Sequence, residues 1–169
     1  NMKLADFASM AGNIYLGRNL PVSLIHFVTN RCNARCAHCF IDFDHPEAYK
    51  NQLTLEEIEK LTLNLGSCLK NVNLTGGEPF AHKNLVDIAG LYFRNTDIES
   101  IFITTNGSLP KRIFSFANEI QDKFPDRKVI FSLSLDNFHK EHDRDRKIRD
   151  LYKNVLECYH GIRALTGNF

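Results

Sequence analysis

Residues 22–39 read VSLIHFVTNRCNARCAHC, and the fold and the chemistry both follow from this stretch. Val22 to Val28 is a dense run of β-prone side chains and predicts a first strand. Three cysteines follow at once, Cys32, Cys36 and Cys39, in a CxxxCxxC spacing. A strand that runs straight into reactive side chains suits a parallel α/β architecture, in which chemistry sits beyond the carboxyl ends of the strands. The rest of the loop is rich in Asn and Arg, so it offers no apolar surface against which three thiols would be buried as small hydrophobes.

Working outward, strand and helix patterns alternate. Leu4 to Leu16 has near-helical apolar spacing and predicts a short amino-terminal helix, and Pro21 resets the chain before the first strand. Thr54-Leu-Glu-Glu57 fits a capping box and predicts a helix to about Cys68. Asn71–Thr75 is a second strand, stopped by Gly76-Gly77-Glu78-Pro79, and Asn84–Arg94 a helix. Ser100–Thr105 is a third strand ending at Asn106-Gly107, and Pro110 opens a helix to about Phe124. Lys128–Leu135 is the fourth strand, and a last helix spans about Ile148–Leu165. The predicted fold class is therefore α/β, a parallel partial barrel of about four βα units plus the short amino-terminal helix, with residues 1–169 as one domain.

Composition bounds the partners. The 169 residues are 43% apolar and 24% charged, enough for one sizeable core. Lys plus Arg is 21 against 20 for Asp plus Glu, a balance that speaks against nucleic acid as the main partner. There is no run of ~20 apolar residues and no secretory leader pattern, so a cytoplasmic protein without a membrane span is expected. An odd count of five cysteines, three of them clustered, suits a metal site in a reducing compartment better than a disulfide framework.

Thiolates are preferred ligands of iron–sulfur clusters, and a four-iron cubane held by three of them leaves one iron free to bind something else. A structural zinc site would need a fourth ligand, which His38 or a distant cysteine could supply, but the usual pair of CxxC units is absent. Iron–sulfur is the favoured reading. The CxxxCxxC loop just after a first strand, with its Thr-Asn-Arg-Cys-Asn wording, resembles the signature of the radical S-adenosylmethionine (radical SAM) superfamily.

That resemblance implies the following expectations. Cys32, Cys36 and Cys39 would hold a [4Fe-4S] cluster whose open iron is chelated by SAM. One-electron reduction, supplied by an external donor such as flavodoxin or ferredoxin, would cleave SAM to methionine and a 5′-deoxyadenosyl radical that abstracts hydrogen from an unidentified substrate, a peptide or a small molecule. His38, before the last cysteine, takes the place of an aromatic residue near the adenine, and is equally read as an exposed loop histidine. Gly76-Gly77-Glu78-Pro79 resembles the GGEP motif that binds the amino group of SAM. Two glycines also let backbone approach a ligand closely, and Glu78 offers an acceptor for an ammonium group.

Ser132, Ser134 and Asp136 share one face of the predicted fourth strand, and Ser134 with Asp136 match residues that hydrogen-bond the SAM ribose or carboxylate. Asp136 is alternatively a turn cap. Asn106-Gly107 resembles a Thr-Asn-Gly that lines the active site, and is also a common turn pair. His139 to Arg149 reads by default as a solvated loop and first helical turn. Its His142-Asp143 and Arg146 nevertheless resemble a His-Asp-x-x-Arg pattern of the branch with molybdenum-cofactor cyclases and sulfatase or peptide-modifying maturases, with Arg146 a candidate for the SAM carboxylate. Cys68 and Cys158 fall at apolar helical phases and are read as buried hydrophobes. The family's barrel has six βα units against four here. The rival reading is a non-catalytic iron–sulfur or zinc module, a redox sensor or scaffold, which would need neither the GGEP turn nor Ser134 and Asp136.

Overall fold

A computed structural model of the chain describes residues 21–65 and 69–165, together with positions 8, 11, 12, 15, 167 and 169. The helix expected over Leu4–Leu16 lies, apart from four of those isolated positions, outside the described residues, as does Cys68. Four strands, β1 (Ser23–Thr29), β2 (Asn71–Gly76), β3 (Ser100–Thr105) and β4 (Lys128–Leu133), form one sheet in the order β1-β2-β3-β4. Every pairing is parallel. The helices α1 (Leu55–Asn64), α2 (Leu85–Asn95), α3 (Pro110–Lys123), α4 (His139–Arg146) and α5 (Leu151–Ala164) connect or follow the strands, so the expected α/β partial barrel is the fold observed.

Sequential order with parallel pairing requires right-handed crossovers that return on one side of the sheet. Burial follows that rule. Val72, Leu74, Ile101, Ile103 and Val129 alternate along the strands and are sealed in one core with Ile58, Ile88, Tyr92, Ile113 and Ile120 from the helices. The residues between them face the concave side, where Ile25 and Phe27 are exposed and Thr104 donates from Oγ1 to Asn73 Oδ1 at 3.2 Å. His26 is on the core side, hydrogen-bonded through Nδ1 to the Tyr92 hydroxyl at 3.0 Å; burial pushes its pKa down to about 4, so it is a neutral core histidine.

Element boundaries follow local chemistry. Thr54 accepts from the Glu57 amide at 3.2 Å while Glu57 Oε2 accepts from the Thr54 amide at 2.8 Å, which completes the capping box of α1. Two expectations need correction. β4 ends at Leu133, so Ser134 and Asp136 lie in the loop beyond it rather than on the strand. The Ser134 amide still bonds the Thr105 carbonyl at 2.9 Å, while Asp136, beyond the strand, is paired with Arg146.

The second correction concerns His139 to Arg149. Residues 139–146 form α4, and His142 and Arg146 are buried rather than solvated. Lys147 closes the helix at φ 55°, and the Asp143 carboxylate accepts from the Tyr152 amide at 2.8 Å in the first turn of α5. The expected single last helix is thus α5 alone, with α4 packed beside it.

Candidate functional site

The site lies where the carboxyl ends of β1, β2 and β3 meet α4. The register of β1 against β2 shifts between Phe27 and Thr29, immediately before the cysteine loop. The loop is then bonded on both flanks. On one, Gly77 donates to the Thr29 carbonyl at 2.7 Å and Glu78 to the Arg31 carbonyl at 2.8 Å. On the other, the amides of Arg35 and Ala37 donate to the carbonyls of Arg146 and Asp145, at 3.2 and 3.4 Å. Those carbonyls belong to the last turn of α4, whose acceptors have no partner within the helix. Inside the loop, the Arg35 guanidinium donates to the Cys32 and Ala34 carbonyls at 2.8 and 2.7 Å and lies over the Phe43 ring.

Cys32 and Cys36 are partly buried and Cys39 is exposed; none of the three is in a disulfide. Burial pushes the thiols of Cys32 and Cys36 above their ordinary pKa; Cys36 and Cys39 raise that of Cys32 further, and Cys39 that of Cys36. The Arg146 guanidinium acts the other way on Cys36 and favours its thiolate. Among the described residues, no three His, Cys, Asp or Glu side chains are gathered closely enough to hold a metal ion. The donor chemistry nevertheless fits an iron–sulfur cluster: three soft thiols on one anchored loop beside a fixed cation, a set suited to an anionic, thiolate-bound group.

The other candidates divide into two groups. Asp136, Arg146 and His38 come together. Arg146 Nε and Nη2 donate to the two Asp136 carboxylate oxygens at 2.6 and 2.9 Å, and His38 Nε2 lies 3.6 Å from Oδ2. Arg146 donation holds the Asp136 carboxyl below the usual carboxylate range. His142, fully enclosed, accepts from the Asp136 amide at 3.4 Å through Nδ1, while its Nε2 has no partner. Ser134 is half-buried, and its amide bonds the Thr105 carbonyl at the end of β3 rather than this group.

Gly76-Gly77-Glu78-Pro79 forms the second group. The close approach that two glycines permit is taken up by the chain itself: a Cβ on Gly76 would stand 2.1 Å from the Thr29 carbonyl oxygen, and one on Gly77 2.3 Å from that of Arg31. Glu78 is fully buried. Its carboxylate accepts from the Phe80 amide at 3.1 Å, the Thr105 hydroxyl at 2.7 Å and the Asn106 amide at 2.8 Å. Burial raises its pKa, and these donors oppose that rise. Pro79 opens a single 3-10 turn, Pro79–Ala81, where a missing amide costs nothing.

Asn106, which the sequence leaves open between turn and site, joins the two groups' neighbourhood to the cysteines. It is 4% exposed, and its Nδ2 donates to Cys32 Sγ at 3.8 Å and to Asn33 Oδ1 at 3.0 Å. Asn33, the last residue of the Thr-Asn-Arg-Cys-Asn wording, donates in turn to the Ser108 hydroxyl at 2.8 Å. Cys158 is core, as expected: its thiol donates to the Gly107 carbonyl at 3.4 Å, and burial pushes its pKa up to about 12.

Cysteine loop, Gly-Gly turn and carboxylate clamp thus stand together at one end of a parallel sheet. Residues 27–167 match the profile of the radical SAM superfamily. The chain belongs to this superfamily. Radical SAM relatives include the GTP 3′,8-cyclase of Heliobacterium modesticaldum, 34% identical over 69% of this chain and 35% of the relative. The GTP 3′,8-cyclase of Moorella thermoacetica is 33% identical over 81% of this chain and 40% of its own length. The chain therefore spans well under half of the curated relatives it matches. A crystal structure of Streptococcus suis SuiB bound to precursor peptide SuiA superimposes with a TM-score of 0.60 and 18% identity, covering 87% of this chain and 33% of that one, a likeness of fold. No helix among the described residues is long and apolar enough to cross a membrane.

The clamp makes a direct prediction. In Arg146→Met the cation that favours the Cys36 thiolate is lost, and Asp136, left without its partner, opposes ionisation further. The Cys36 thiol pKa should rise, so its alkylation by iodoacetamide at pH ~8 should slow several-fold, because only the thiolate reacts. Mass spectrometry of the alkylated peptide reads this out, and an unchanged rate would disprove the electrostatic link.

Proposed function

We propose that this chain is the cluster- and SAM-binding portion of a radical SAM enzyme, with Cys32, Cys36 and Cys39 as ligands of a [4Fe-4S] cluster. The supporting observation is the anchoring of all three thiols on one loop, bonded to the Gly76-Gly77 turn on one flank and to the last turn of α4 on the other. When bound, the cluster supplies an electron for reductive cleavage of SAM, yielding a 5′-deoxyadenosyl radical that takes a hydrogen atom from substrate.

The chain's own residues have definable tasks. The three thiolates would hold three irons of the cluster and leave the fourth without a protein ligand, and Arg146 would offset part of the negative charge concentrated there. Gly76-Gly77-Glu78-Pro79 offers backbone acceptors to the SAM amino group, with Glu78 committed to holding the end of β3 through its donors Thr105 and Asn106 and to its own turn through the Phe80 amide. Asp136 and Arg146, already paired, orient polar groups of SAM, with His38 beside them and Ser134 two residues before Asp136. The substrate is a peptide or small molecule, and the electron comes from an external flavodoxin or ferredoxin. The concave face of the sheet, lined by Ile25, Phe27, Asn73 and Thr104, is the surface a substrate would meet.

Anaerobic reconstitution with iron and sulfide, followed by dithionite reduction and electron paramagnetic resonance with and without SAM, tests the proposal. A [4Fe-4S]⁺ signal that changes shape with SAM is expected. A cluster indifferent to SAM would favour the sensor or scaffold reading, and bound zinc without a cluster would overturn both iron–sulfur readings.

A further inference from the structure

We propose that Asn106 is a positioning residue for the cluster: its side-chain amide donates an N–H···S hydrogen bond to Cys32 and thereby raises the reduction potential of the centre that this thiol holds. The inference rests on the cluster reading above and adds to it a residue outside the cysteine, Gly-Gly and carboxylate motifs.

Four contacts fix Asn106, three of them on its side-chain amide. The Asn106 backbone N–H donates to Glu78 Oε2 at 2.8 Å, its Oδ1 accepts from the Ser108 amide at 2.9 Å, and its Nδ2 bridges Asn33 Oδ1 at 3.0 Å and Cys32 Sγ at 3.8 Å. The Ser108 amide can only donate, so it settles which end of the Asn106 side chain is oxygen and turns the NH₂ toward the thiol. The next residue, Gly107, sits at φ 72° with its amide bonded to Thr105 Oγ1, so the turn holds Asn106 from both sides. A donor so constrained, on a residue only 4% exposed, loses little entropy on meeting a sulfur.

The direction of the effect follows from charge. One electron added to the cluster increases the negative charge on its sulfurs, so a fixed donor stabilises the reduced form more than the oxidised form and raises the potential. The role of Asn106 is to hold Cys32 in place and to make the electron easier to accept.

Two variants of the full chain test this. Asn106→Ser keeps an oxygen able to accept from the Ser108 amide but loses the NH₂; Asn106→Asp keeps the shape and turns a donor into an anion. Each reconstituted protein is titrated with dithionite under electron paramagnetic resonance. At a fixed solution potential, the ratio of reduced to oxidised cluster should fall roughly tenfold in Asn106→Ser, which for one electron is about 59 mV, and further in Asn106→Asp. Cluster in wild type with unchanged potentials in both variants would overturn the Asn106 proposal while leaving the cluster reading intact. Failure of wild type itself to take up a cluster would overturn that reading. Should the variants not assemble, pulsed ENDOR on wild type carrying amide-¹⁵N asparagine decides: a ¹⁵N coupling to the reduced cluster is expected, and none would refute the bond.

Discussion

Replacing Cys36 by alanine is expected to abolish cluster binding and leave the fold standing. The thiol lies at a partly exposed loop position, so its loss removes a ligand without opening a cavity, and the change in stability should stay within about 0.5 kcal/mol. The same holds for Cys39, which is exposed, and for Cys32, apart from its contact with Asn106. Cys158→Ala should show the opposite pattern: full iron content with a loss on the order of 1 kcal/mol, because its fully buried sulfur fills core space against the Gly107 carbonyl. Iron and sulfide assays paired with thermal melts distinguish the two classes. Iron retained in Cys36→Ala would remove this thiol from the ligand set, and iron lost in Cys158→Ala would point to a ligand no motif suggests.

The contrast between these cysteines was legible in the sequence because it depends on local pattern. Cys158 recurs at an apolar helical phase, whereas Cys32, Cys36 and Cys39 sit among Asn and Arg. The parallel alternation was legible for the same reason: β3 falls at Ser100–Thr105 as its apolar period demands, and α1 begins at its capping box. α4 was not. Its sequence, HKEHDRDR, has no apolar stripe, and the favourable features on offer are Glu141 in the first turn with Arg144 and Arg146 in the last. What holds it is tertiary: the Arg146 clamp on Asp136, and the carbonyls of Asp145 and Arg146 taken by the cysteine loop. The end of β4 at Leu133 escaped the period-2 pattern, since the pairing of Asp136 with Arg146 ten residues on leaves no local trace. Asn106 was ambiguous because Asn-Gly makes a good turn and a good donor at once. Only the enclosure of its amide beside Cys32 separates these roles.

Gly76→Ala should cost more than any other single change considered above, and it should do so by unseating the cysteine loop. Gly76 has φ 135°, a region that side-chain-bearing residues rarely adopt, and a Cβ there would lie 2.1 Å from the Thr29 carbonyl oxygen. The obstacle is backbone at the end of β1, pinned by the Gly77 amide at 2.7 Å, so no flexible side chain can swing aside. Relief requires β1 and β2 to part at the point where Cys32 begins. The expected loss is about 3 kcal/mol or more, which for a chain of this size lowers the melting temperature by roughly 6–12 °C. Gly77→Ala, with backbone atoms of Arg31 and Asn30 at 2.3 to 2.8 Å from its Cβ, should behave alike without the φ contribution. Both variants should also take up less iron than Gly90→Ala, whose nearest neighbour is the far end of the Arg94 side chain, a group able to move. A melting temperature and iron content equal to wild type in Gly76→Ala would mean that the strand ends are not packed as tightly as this geometry requires. A large thermal loss with full iron content would separate the anchoring of the loop from the assembly of its site.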